Sequence, residues 1–201
     1  MELSKKHKNK IIKKKGIGYK NFWSLNTDEA VAIGILRGWL PKNVEVFIPA
    51  NAQMKDIDLI IVNIENKKMA TIQVKGSRAY EPKKTEIKEF GSGSAGWFHM
   101  NRDKIDKSTV DFFIFLSYVL EEDKKSGRRH INPHIVLIST NELKNLCKKY
   151  KKLDRNEMYN FFIWINPVKK QAIEFRDKKH HINMSKCLDK EGFEKLYAKL
   201  K

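Results

Sequence analysis

Residues 70–75 read Ala-Thr-Ile-Gln-Val-Lys, with apolar and polar side chains alternating strictly at period two. Ala70, Ile72 and Val74 supply a face that belongs against a core, and Thr71, Gln73 and Lys75 form the other. Placing an amide and an ammonium beside a core is costly unless chemistry or a satisfied polar network uses them. Nearby, Leu59-Ile60-Ile61-Val62 is apolar at every position, as a strand covered on both faces requires. These two segments commit the chain to a sheet with an interior strand.

The remaining pattern supplies helices. Asn26-Thr27-Asp28-Glu29 opens a helix in which Val31, Ile35 and Trp39, with Ala32, Leu36 and Leu40, form the apolar stripe before Pro41 stops it. Strands are expected over 44–48, 58–64 and 70–75, with Glu65-Asn66-Lys67-Lys68 as a turn. Residues 79–101 read as irregular, a connection that includes Gly91-Ser92-Gly93-Ser94-Ala95-Gly96. Those letters satisfy G-x-G-x-x-G, but no strand precedes them and no helix follows, so a nucleotide cofactor is not expected. Further strands are expected over 110–119 and 135–139, separated by a polar excursion over 121–129. A helix follows over 141–150, then a hairpin of 160–165 and 171–176 turned at Asn166-Pro167. A C-terminal helix after Asp189 carries Phe193, Leu196, Tyr197 and Leu200 as its stripe. The whole is an α/β chain with a mixed central sheet flanked by helices, extended by a C-terminal hairpin and helix.

At 201 residues one domain with an extension is expected: a basic, mobile arm over 1–20 and a single domain over 21–201. Lys and Arg total 41 against 24 acidic residues, a formal charge of +17, which calls for a polyanionic partner or a heavily solvated surface. Nucleic acid is the first candidate. The arm, with Lys13, Lys14 and Lys15, can neutralise phosphates, or it can simply aid solubility. The apolar runs are too short to cross a bilayer, and no secretory signal is recognisable. Cys147 and Cys187 form no ligand pair or disulfide framework, so a reduced cytoplasmic setting is expected.

Cleaving a phosphodiester requires charge offset on the phosphate, an activated water and a stabilised leaving oxygen, all of which a divalent metal held by oxygen ligands supplies. Asp58 and Gln73 can present two such oxygens from neighbouring strands, and Lys75 points the same way. The order of Glu29 on a first helix, Asp58 before an apolar strand and Gln73-Val74-Lys75 on the next resembles the PD-(D/E)XK nuclease superfamily over roughly 26–78. The strands over 110–139 are more loosely similar. The run Glu29-x-x-Ala32-x-x-x-Leu36-x-Gly38 looks like the first helix of archaeal Holliday-junction resolvases.

That resemblance implies a restriction-endonuclease-like fold and a Mg²⁺-dependent endonuclease, with Mn²⁺ able to substitute, acting on DNA as a homodimer. It casts Asp58 as principal metal ligand, Gln73 at the variable acidic position, the Val74 carbonyl as a further ligand and Glu29 as completing the site. Lys75 would activate the attacking water. Ser77 and Arg78 would hold phosphate oxygens. Two departures stand out: no proline precedes Asp58, and Gln73 replaces the usual acid, although its carbonyl oxygen can still ligate.

Other readings remain open for these residues. Glu29 can instead complete a capping box with Asn26, Asp56 can stand for Asp58, and Gln73 with Lys75 can be a satisfied polar pair. A junction-resolving nuclease and an inactive nucleic-acid-binding module are the rival functions. His130 and His134, or His180-His181, lack further ligands for zinc. Trp97, Phe98 and Trp164 are placed either to stack on bases or to fill core.

Overall fold

The structure is a computed structural model that describes residues 27–49, 56–78, 80–122, 126–150, 153–176 and 180–201. Asn26, the basic arm and its Lys13, Lys14 and Lys15 lie outside the described residues. Helix α1 (Thr27–Arg37) leads into an antiparallel meander of β1 (Val44–Phe47), β2 (Leu59–Asn63) and β3 (Met69–Ser77). Then come α2 (Lys84–Phe90), β4 (Ser94–Asn101) and α3 (Arg102–Asp106), followed by β5 (Phe112–Glu122) and β6 (Arg129–Ser139). The chain continues through α4 (Thr140–Tyr150), β7 (Met158–Asn166), β8 (Gln171–Glu174), β9 (Ile182–Asn183) and α5 (Asp189–Leu200).

The mixed α/β architecture is the expected one. A five-stranded sheet runs β1-β2-β3-β5-β6, in which β3 and β5 are parallel and the other neighbours antiparallel. β5 is its most deeply buried strand, because Phe112-Phe113-Ile114-Phe115-Leu116 is apolar on both sides. Phe112, Ile114 and Leu116 join Ile72, Val74, Leu59 and Ile61 against Ala32 and Leu36 of α1 and Phe193, Leu196 and Leu200 of α5. Phe113 and Phe115 point the other way, onto Phe98 of β4 and Phe161 and Ile163 of β7.

That second cluster corrects the sequence reading of 79–101. The segment is not an irregular connection: it forms α2 and β4, and β4 is the edge of a second sheet ordered β4-β7-β8-β9. The expected hairpin, β7 with β8, therefore belongs to a sheet packed across the first one. Low strand propensity hid β4, since Ser94, Ala95 and Gly96 carry little hydrophobic signal. Of the glycines before it, Gly93 has φ +140°, and a Cβ there would lie 2.0 Å from the Ile165 carbonyl oxygen. The G-x-G-x-x-G stretch thus follows a helix and enters a strand, the reverse of a dinucleotide site.

β6 starts six residues before its expected beginning and contains Pro133, which an edge strand tolerates. On it, His134 presents Nδ1 to Asp189 Oδ2 at 2.8 Å and Nε2 to Glu121 Oε1 at 3.0 Å, tying α5 to the β5–β6 hairpin. His130 also faces Glu121, at 3.8 Å. Burial opposes the imidazolium, but the hydrogen bonds and charges of Asp189 and Glu121 outweigh it and raise the His134 pKa above its ordinary value. A raised native pKa stabilises the fold fully below about pH 6.5 and loses that contribution as pH climbs through the native value. The thermal unfolding midpoint should therefore fall between about pH 6 and pH 9. In His134→Gln that part of the profile should be flattened, as differential scanning fluorimetry across the range would read.

Candidate active site

Pairing between β2 and β3 has its last Cα partners at Leu59 and Ile72. Immediately beyond, the Val74 amide donates to Asp58 Oδ2 at 2.7 Å, so a carboxylate takes the place of a strand carbonyl. The Asp58 amide donates to the Ile72 carbonyl at 2.9 Å, which pins that carboxylate at the mouth of the sheet. A residue's amide and carbonyl point to the same side of an extended strand, so the Val74 carbonyl is directed toward the same edge. The two strands separate here, and polar groups of β3 are presented to whatever enters the gap.

Asp56 precedes this point with φ +70°, a left-handed conformation that Asp tolerates better than most residues. Its Oδ1 accepts a hydrogen bond from Gln73 Nε2 at 3.4 Å. The structure thus brings both aspartates to the strand ends: Asp58 to the Val74 amide and Asp56 to the Gln73 amide. Gln73 is buried, and with its Nε2 on Asp56 its Oε1 is the atom it has to offer.

Lys75 lies two residues on, along the Gln73 face of the strand. Burial pushes its ammonium below the ordinary lysine value of 10.5; Asp58 opposes that shift, Lys104 adds to it, and Asp56 and Glu29 oppose it. Three carboxylates and a second lysine therefore act on one half-buried cation. Glu29, in the first turn of α1, is among them and is the weakest of these influences. Lys104 was not anticipated from the sequence; it sits on α3, which Asn101 caps by accepting from the Lys104 amide at 3.2 Å. An Asn followed by Arg-Asp-Lys was the available signal.

Ser77 does not occupy the phosphate-facing position expected of it. It is buried, its hydroxyl oxygen accepts from the Trp97 amide at 2.7 Å, and it donates to the Arg78 carbonyl at 3.1 Å. That hydroxyl joins the two sheets. Arg78, just beyond, is exposed.

Among the described residues, no group of three or more His, Cys, Asp or Glu side chains converges on a metal position. The donor set does suit a hard cation that keeps several waters: Asp58 Oδ1, Gln73 Oε1 and the Val74 carbonyl are oxygens on adjoining strand ends. The concave surfaces lined by Pro167, Lys170 and Glu191, or by Asn145, Met184 and Lys195, contain none of these groups.

The opposite face of β3 explains Gly76. A Cβ there would lie 1.9 Å from Asp28 Oδ2, so the carboxylate of α1 rests directly on the backbone after Lys75. Tyr118 donates its hydroxyl to Asp28 Oδ1 at 2.8 Å, and burial, that hydrogen bond and the Asp28 charge push the phenol up to about 12. Asp28 and Tyr118 thus fix the helix that carries Glu29. Comparison with protein-family models, with curated proteins and with solved structures finds no match to this chain.

Gly76→Ala should destabilise the protein by about 1–3 kcal/mol through overpacking. Combining it with Asp28→Ala should cost less than the two changes summed, because the second removes the obstructing carboxylate. Urea denaturation of both single variants and the double variant checks this.

Proposed function

We propose that this protein is a divalent-metal-dependent endonuclease of the PD-(D/E)XK type that hydrolyses DNA phosphodiester bonds. The observation that carries the reading is the opening between β2 and β3. There, Asp58, Gln73, the Val74 carbonyl and Lys75 stand together under the charge of Glu29. Support also comes from the order of elements, a helix and three-stranded meander followed by a crossover to a strand parallel to β3. The net charge of +17 suits a polyanionic substrate.

In this reading Asp58, Gln73 and the Val74 carbonyl would hold Mg²⁺, and Glu29 would add the negative charge that Gln73 lacks. The bound ion supplies Lewis-acid activation of the phosphate and of a coordinated water. Lys75 orients the attacking water and offsets charge on the phosphate, and its lowered pKa enlarges the share of neutral amine that can take a proton from that water. Lys104 and Arg78 position the backbone of the DNA. Asp56 holds the Gln73 amide so that the carbonyl oxygen faces the site. Cys147 and Cys187 are buried and form no disulfide, which accords with work inside the reducing cytoplasm.

Purified protein should nick supercoiled plasmid with Mg²⁺ or Mn²⁺ and be silent in EDTA. Lys75→Ala and Asp58→Asn should each lower the cleavage rate by about 10²–10⁴-fold while plasmid binding persists in a gel-shift assay. Gln73→Glu should lower the Mg²⁺ concentration needed for half-maximal cleavage. Wild-type protein that binds supercoiled, linear and branched DNA yet leaves all three intact with either metal would overturn the enzyme and favour a binding module.

A further inference from the structure

The outer face of the second sheet, turned away from the five-stranded sheet, carries a row of rings. Alternation along β4 buries Phe98 and Met100 and leaves Trp97 and His99 on this face, with Trp97 41% exposed. The Trp97 ring lies 6.0 Å from His99 at 23° and 6.0 Å from Phe162 of β7 at 24°, so it is stacked with both neighbours. The Arg176 guanidinium covers Phe162, 5.1 Å from the ring centroid. Of the three aromatics noted in the sequence, Phe98 and Trp164 are core, and Trp97 is the exposed one. α2 covers the neighbouring end of this face through Phe90, which packs on Trp164 and Phe175.

The row is held in place by polar partners. Trp97 Nε1 donates to Asn160 Oδ1 at 3.1 Å, and Asn160 Nδ2 donates to Asp154 Oδ2 at 3.0 Å. His99 Nε2 meets that same carboxylate oxygen at 2.9 Å, and the amides of Asn156 and Met158 donate to the other. The one acid in the network is thereby engaged on both oxygens, and the exposed part of Trp97 is left to a ligand. Fixed rings lose little side-chain entropy on binding, and every nucleobase offers a π-face to them. A protein partner would be matched by a broad apolar patch. This face instead offers an ordered ring row with a guanidinium at its rim, on a chain of net charge +17.

We propose that this face binds single-stranded nucleic acid, with an unpaired base stacking on the exposed Trp97 ring and Arg176, over Phe162, meeting the bases or their phosphates. The site goes beyond the nuclease reading and does not require it. The Trp97 amide is bonded to Ser77, two residues past Lys75 on β3, so the strand that carries the ring row is fastened to the strand that carries Lys75.

Fluorescence anisotropy of a labelled oligothymidylate of about twelve nucleotides, titrated with the full chain in EDTA, tests the proposal without any cleavage. Trp97→Ala should weaken binding about 5- to 150-fold at unchanged circular dichroism and melting temperature, and Arg176→Ala should weaken it to a lesser degree. Trp97→Phe should retain most of the affinity, and an abasic oligomer of the same length should bind the wild type no better than oligothymidylate binds Trp97→Ala. Equal affinity of the wild type for the abasic and thymidine oligomers would overturn the proposal, as would wild-type affinity in both alanine variants.

Discussion

The hydrogen bond from the Val74 amide to the Asp58 carboxylate is the constraint on which the rest of the arrangement depends. A backbone amide near a core must have an acceptor, and here a side chain provides it where a strand carbonyl would otherwise stand. Because the acceptor is a side chain, β2 is free to turn away through Asp56 while β3 continues to Ser77 along β5. The sheet opens without leaving the amide unsatisfied. Every feature of the proposed site follows: the Val74 amide turned to Asp58, the buried Gln73 amide turned to Asp56, and Lys75 under the charges of Asp58, Asp56 and Glu29.

The surrounding layers hold that opening from both sides. α1 presses on the backbone at Gly76 through Asp28, which Tyr118 anchors from β5, and this sets the first turn that bears Glu29. On the other side, Ser77 accepts from Trp97 and fastens β4 to the end of β3. The same strand that closes the core with Phe98 therefore displays Trp97 outward. One polar contact links the interior chemistry of the first sheet to the aromatic face of the second.

Lys75 illustrates how burial and charge are balanced. Its desolvation is offset in part by Asp58, Asp56 and Glu29, and Lys104 tips the balance back toward the neutral amine. A half-buried lysine held in such a balance is the feature that the proposed function uses.

Periodicity alone determined much of this protein. The alternation over Ala70, Ile72 and Val74 against Thr71, Gln73 and Lys75, and the doubly apolar Leu59–Val62 stretch, defined β2, β3 and the polar face that carries the site. The α1 and α5 stripes were equally legible, because apolar residues recur at helical spacing. Only the tertiary structure decided that Asp56 and Asp58 both reach the strand ends, since a positive φ at Asp56 breaks the alternation by which a strand aims its side chains. It alone placed Lys104 near Lys75 across many residues of sequence, and assigned the Ser77 hydroxyl to Trp97. β4 was concealed because its first residues are small, and their smallness matters only once a second sheet lies close against them. A sequence records which face of a strand is apolar; which polar groups meet across space is fixed when the layers pack.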